Sequence, residues 1–215
     1  MSNDWPTFIR ANTRLLSPPL VPEIRLHLAE ESLPIWQRTE EELGAMNVPP
    51  PYWAFAWAGG QAVARWLLDN PTATRDKSVL DLGAGSGLTA IAAAMTGACE
   101  VMAADIDPVS LAAMALNAEA NGVDFATTAD DLLAADPQPF DAVIVGDLFY
   151  ERALADQVLA YIDKAVAGGA TILIGDPQRS YFPRGRFAKV TEYQVPVTRE
   201  LEDSEIKRTA VWRAP

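Results

Sequence analysis

Residues 78–87 read Ser-Val-Leu-Asp-Leu-Gly-Ala-Gly-Ser-Gly, and this stretch decides the fold. Val79, Leu80 and Leu82 have the character of a buried strand's end. Gly83, Ala84, Gly85, Ser86 and Gly87 then form a turn whose backbone a ligand can touch. Leu88 to Thr96 continues as an Ala-rich helix. Strand, glycine turn and helix in this order open a nucleotide site in a doubly wound α/β sheet. The glycines are spaced Gly-x-Gly-x-Gly, which differs from the Gly-x-Gly-x-x-Gly of dinucleotide folds.

Asp81, just ahead of the glycines, gives the turn its chemistry. A dinucleotide fold sets a pyrophosphate at the helix N-terminus, and a carboxylate there repels it. S-adenosylmethionine is the opposite case, with a cationic sulfonium, an ammonium group and no phosphate. The expected site therefore includes Asp81, Gly83 and Gly85 around that molecule, with Asp81 near its ammonium. A second strand, Glu100 to Ala104, ends in Asp105-Ile106-Asp107-Pro108. An acid about 20 residues beyond the glycines is placed to accept from both ribose hydroxyls. That role falls to Asp105, with Ile106 beside it in the site. Asp107 is assigned to the cap of a helix over 109–121, with Pro108 at its first position. A third strand near Phe125 to Thr128 ends at Ala129-Asp130-Asp131. There Asp130 is expected at the exocyclic amine of adenine, and the Asp131 backbone N–H at a ring nitrogen.

Working outward from this core, residues 60–176 alternate helix and strand, which means a parallel sheet with right-handed crossovers. Two β-like runs, Lys189 to Val195 and Ile206 to Trp212, suit an antiparallel pair at its edge. Residues 1–50 are expected to form an extension packed on the 51–215 domain. It would hold a helix over Asp4 to Leu16, a strand around His27 and a helix from Ile35 to Ala45. Tyr52 to Gly60 is dense in aromatics. Its two glycines, Gly59 and Gly60, are expected to let backbone approach a ligand, and the Trp57 indole suits a sulfonium or adenine face.

Composition removes several classes. The 215 residues suffice for one α/β domain, and no run of about 18 apolar residues suggests a membrane span. A net charge of −12 argues against a nucleic acid partner and favours a basic protein surface. One cysteine, Cys99, and one histidine, His27, exclude a disulfide framework and a multi-thiolate or His-rich metal site. Apolar neighbours make Cys99 a candidate buried thiol, and alternation makes His27 a solvent-side strand residue. The N-terminus lacks a basic-then-apolar leader pattern, so a cytoplasmic setting is expected, although Arg10 and Arg14 leave a transit-peptide reading open.

The fourth strand, Asp141 to Val145, ends in Gly146-Asp147-Leu148-Phe149-Tyr150. Enzymes that methylate planar amide or base nitrogens commonly carry two prolines at this position, and this chain has none. A flexible lysine amine fits better, entering a slot between aromatics. Asp147 is expected to orient that amine and stabilise the methylated ammonium, Tyr150 to wall the slot, and Gly146 to lie in the donor site. Asp176 and Arg179 mark the fallback location for the acceptor.

Pro51-Tyr52-Trp53-Ala54, Trp57-Ala58-Gly59-Gly60-Gln61, Leu67-Leu68-Asp69-Asn70-Pro71, the 78–87 stretch, Asp105-Ile106-Asp107-Pro108, Gly146-Asp147-Leu148-Phe149-Tyr150 and Ile174-Gly175-Asp176-Pro177 together resemble the electron transfer flavoprotein beta-subunit lysine methyltransferases. The similarity runs from about Pro22 to Trp212, with Ala58 standing where that family often has proline. The resemblance implies a seven-stranded class I methyltransferase fold, S-adenosylmethionine as donor, and lysines on a flavoprotein's partner-docking surface as acceptors. Competing readings are an N-methyltransferase for a small amine such as nicotinamide, and a lysine methyltransferase for another protein such as a ribosomal one. A non-catalytic donor-binding module and a dinucleotide oxidoreductase complete the set.

Overall fold

The computed structural model describes residues 4–29, 50–197 and 205–215. The helix expected over Ile35 to Ala45 lies outside them. Seven strands form one sheet in the order β5-β4-β3-β6-β7-β9-β8. These are β3 (Ser78–Leu82), β4 (Glu100–Ala104), β5 (Ala126–Thr128), β6 (Ala142–Gly146), β7 (Thr171–Asp176), β8 (Ala188–Pro196) and β9 (Ile206–Arg213). The first five pair in parallel, and β9 pairs antiparallel with both β7 and β8. The mostly parallel doubly wound sheet with an antiparallel edge is thus observed. A smaller hairpin joins β1 (Arg14–Leu16) to β2 (Leu26–Leu28).

Period-two alternation explains how the sheet is covered. Val79, Ala142 and Ile144 face one apolar cluster, with Val63, Leu67, Leu88 and Ile91 from helices α2 (Ala58–Asp69) and α3 (Leu88–Met95). Leu80, Leu82, Val143 and Val145 face the other, with Val158, Tyr161 and Ile162 from α5 (Arg152–Ala167). Burying each such side chain contributes about 1.5–3 kcal/mol. The two-sided burial is why these strands read as unbroken apolar runs. Ile9 of α1 (Trp5–Asn12) packs with Trp53 and with Val109 of α4 (Pro108–Asn121), while Val21, Ile24 and Leu26 join the first cluster.

Three expectations are corrected here. The helix drawn over Asp4 to Leu16 stops at Asn12, because extended Thr13 donates its hydroxyl to the Ile9 carbonyl at 2.6 Å. The chain then turns into β1. His27 is half-buried: its Nδ1 lies 3.1 Å from the Thr13 hydroxyl, and burial pushes the imidazole pKa down. Cys99 is exposed, since it sits in the turn just before β4 and not within the strand.

The chain leaves β3 toward β4 and β5, then returns to form β6 on the other side. The crevice between the carboxyl ends of β3 and β6 is therefore the topological switch point, where such sheets bind ligands.

Candidate active site

A cavity of about 530 Å³ opens at that switch point, within the range of small-molecule sites. Its floor is the glycine turn. Gly83, Gly85 and Gly87 have φ values of 68°, 52° and 77°, a region that residues bearing a Cβ rarely adopt. A Cβ on Gly83 would also meet the Leu148 side chain at 2.8 Å. The turn is tied down by Ala104, whose carbonyl accepts from the Gly83 and Ala84 N–H groups.

Three acids converge on this turn. Asp81, at the carboxyl end of β3, is 1% exposed and accepts from the Ala90 N–H at 3.0 Å, in the first turn of α3. Burial pushes its carboxyl up to about 6 against the hydrogen bonds from Thr89 and Ala90. Asp105 accepts from the Gly85 N–H at 2.8 Å and the Asp107 N–H at 3.0 Å, so it braces the turn as well as facing the cavity. Its pKa is raised, again by burial. Asp107 caps α4 through the Val109 N–H at 2.8 Å, with Pro108 at the first helical position as expected. Its pKa is pushed up to about 6 by burial, with Asp105 as a further cause. Ile106 stands at the mouth, 71% exposed. Asp130 and Asp131 reach the cavity from the end of β5 and are exposed; Asp130 accepts from the Thr128 hydroxyl and Asp131 caps a short 3-10 turn at Leu133.

The other half of the cavity is built on β6, β7 and the start of α2. Gly146 ends β6 against Gly60, where a Cβ would lie 3.4 Å from the Gly60 backbone. Gly59 and Gly175 are closer still: a Cβ on either would collide with the other's carbonyl oxygen. Gly59 thus lets α2 abut the strand tips and does not serve ligand approach, whereas Gly60 lines the cavity as expected.

Asp147 follows at φ 59°, its N–H donating to the Gly175 carbonyl. It is 7% exposed. One carboxylate oxygen accepts from the Gly60 N–H at 3.0 Å. The other accepts from the Arg179 Nε at 2.9 Å and a terminal guanidinium nitrogen at 2.6 Å. Arg179 in turn lies over the Trp57 ring, 5.5 Å from its centroid, so the indole's cation partner here is the protein's own. The Trp57 Nε1 donates to the Tyr52 carbonyl. Tyr150 is 45% exposed at the mouth, with its ring 5.9 Å from that of Tyr52, and desolvation raises its phenol pKa.

Asp176, which ends β7, is fully buried and pushed up to about 7, by desolvation first and by Asp147 second. Its Oδ1 accepts from the Arg179 N–H at 2.7 Å, while Oδ2 has no hydrogen-bond partner among the described residues. Arg179, which the sequence offered with Asp176 only as a fallback location for the acceptor, stands at the centre of this half of the site. Its only signal was its place just after Gly175-Asp176-Pro177.

The lining suits the expected donor. Among the described residues, six aspartates (Asp81, Asp105, Asp107, Asp130, Asp131 and Asp147) face one arginine, which repels phosphate and favours a cation. Positive-φ glycines leave backbone open beneath it. Among the described residues no His, Cys, Asp or Glu group could hold a metal ion, and no helix is long and apolar enough to cross a membrane.

The chain is similar to known proteins over most of its length. The family model described as ribosomal protein L11 methyltransferase (PrmA) matches residues 65–174. The electron transfer flavoprotein beta subunit lysine methyltransferase of Mus musculus is 38% identical over 212 residues, which span 95% of this chain and 82% of its own. The Homo sapiens protein of the same name is 39% identical over 212 residues, 95% of this chain and 80% of its own. A ribosomal protein L11 methylase from Lactobacillus delbrueckii subsp. bulgaricus shares the fold, with a TM-score of 0.51 at 23% identity over 75% of this chain and 81% of that one. An acid-lined glycine turn at the switch point of a seven-stranded sheet, with relatives matched along nearly the whole chain, identifies an S-adenosylmethionine-dependent methyltransferase that belongs to the electron transfer flavoprotein beta subunit lysine methyltransferase family.

Proposed function

We propose that this protein methylates lysine side chains on the beta subunit of an electron transfer flavoprotein. The observation that carries the reading is the division of the cavity: at the glycine turn, acids with no arginine or lysine bound to them among the described residues, and at the other end Asp147 with the exposed rings of Tyr52 and Tyr150. Bound S-adenosylmethionine supplies a methyl group from a cationic sulfonium. Asp105 would accept from its ribose hydroxyls, Asp81 would face its ammonium, and Asp130 with the Asp131 N–H would hold the adenine edge. Gly83, Gly85, Ile106, Gly146 and Trp57 complete its walls.

A lysine ammonium has an unperturbed pKa near ~10.4 and must lose its proton before it attacks. Entry between the tyrosines strips water from it, which favours the neutral amine. The amine lone pair then forms the N–C bond as the C–S bond breaks, with the bonding pair remaining on sulfur. Asp147 orients the incoming nitrogen and stabilises the methylated ammonium. Alignment of the two reactants supplies on the order of several kcal/mol of the acceleration.

Mass spectrometry of purified flavoprotein after incubation with enzyme and donor tests the reading, and new methyl groups on beta-subunit lysines are expected. The reaction should slow steeply with added salt, because a chain of charge −12 meets a basic surface through fields that a Debye length of about 8 Å screens. Turnover of nicotinamide, or of ribosomal protein, with the flavoprotein left unmodified would overturn it.

A further inference from the structure

We infer that Arg179 is a positioning residue that sets the charge state of the acceptor lysine, by neutralising Asp147 and presenting a cation to the same cavity wall. The inference rests on the lysine-methylation reading above. A lone buried carboxylate beside an amine holds it as ammonium, the form that cannot attack. Asp147 would act in that way if it stood alone. It does not: two guanidinium nitrogens reach one of its oxygens, and the Gly60 N–H at the start of α2 reaches the other.

Arg179 is itself fixed from three directions. Its backbone N–H is bound by Asp176, its guanidinium by Asp147, and its planar face lies over Trp57. Its side chain is 16% exposed, yet it lines the cavity with Tyr150 and Asp147. Among the described residues, the other titratable groups facing this corner include Asp176 from β7, Tyr150 and Glu151 after β6, Tyr52 from the aromatic turn and Asp105 just after β4. Asp147 and Arg179 thereby compensate each other's charge beside the buried Asp176. The amine then enters a slot that orients it through Asp147 without trapping its proton. A planar fork that binds one partner and stacks on another is a task for arginine more than for lysine.

Arg179→Gln and Arg179→Lys test this on the full-length enzyme, with flavoprotein as acceptor, saturating donor, and rates taken across pH 6 to 10. S-adenosylhomocysteine affinity and thermal midpoint are measured alongside. Arg179→Gln should bind S-adenosylhomocysteine within about threefold of the parent and lose about tenfold or more in kcat/KM near neutral pH. Its ascending pH limb should move upward by about one unit, because Asp147, without the guanidinium, holds the ammonium. Arg179→Lys retains a cation and should keep the limb near its parental position at a reduced rate. A limb of Arg179→Gln that stays in place, or equal losses in product affinity and in rate, overturns the inference. Unaltered enzyme that leaves the flavoprotein unmethylated at every pH refutes the substrate reading itself.

Discussion

The two halves of the cavity handle negative charge in opposite ways. At the tips of β3 and β4, Asp81, Asp105 and Asp107 are held by backbone N–H groups and helix starts, with no arginine or lysine bound to them in the hydrogen bonds and ion pairs described. At the tips of β6 and β7, Asp147 is paired with Arg179, and Asp176 is buried beside them. The first half waits for a cation that arrives with the ligand. The second carries its own. The difference matches two tasks: holding a permanently charged donor, and accepting an amine that has to become neutral.

Breaking the second half should have the largest effect. Asp147→Asn keeps the shape, and Asn tolerates a φ near 60° as well as Asp does. It removes the charge that holds Arg179 and is proposed to orient the amine. Turnover should fall by about 100-fold or more, while calorimetry shows S-adenosylhomocysteine bound nearly as before. Full turnover would move the acceptor site away from Asp147.

Breaking the first half should act on donor binding. Asp105→Ala removes the acceptor proposed for the ribose hydroxyls and frees the Gly85 N–H it anchors. The expected loss in S-adenosylhomocysteine affinity is about 1.5–3 kcal/mol, roughly 10- to 100-fold. Unchanged affinity in a folded variant would remove Asp105 from the ribose.

A smaller effect sharpens the contrast through pH. Asp81 and Asp107 are pushed up to about 6 and Asp176 to about 7, so the folded chain keeps protons that the unfolded chain releases near pH 4. Between about pH 4 and 7 the native state binds more protons, and stability therefore falls as pH rises. The contribution of these groups is fully present below the unfolded value and is lost through the folded values. The thermal midpoint without donor should drop by a few degrees from pH 5 to pH 7.5 through these groups. Saturating S-adenosylmethionine should shrink that drop, because its cation stabilises the ionised acids of the first half only.

The first half was also the one legible in the sequence. Gly83, Gly85, Asp105 and the Asp107-Pro108 cap lie within 25 residues of one another, and their roles follow from turn geometry and strand–helix spacing. The second half needed pairing that sequence does not display. Asp147 and Arg179 are 32 residues apart and meet only because β6 lies beside β7. Gly59 likewise looks like freedom for a ligand until it is seen against Gly175, where α2 abuts the strand tips. The helix end at Thr13 and the exposure of Cys99 were hidden for a related reason. A side-chain bond to the preceding turn and a position one residue outside a strand leave apolar periodicity almost unchanged.

Cys99 has a practical consequence. It is the sole cysteine of the chain, is exposed, and precedes β4 at the amino edge of the parallel strands, whereas the cavity lies at their carboxyl edge. A maleimide dye would therefore label the native sequence at one defined point, a strand length away from the chemistry. Fluorescence anisotropy of that conjugate could follow encounter with the flavoprotein while leaving every residue of the acceptor slot as nature encoded it.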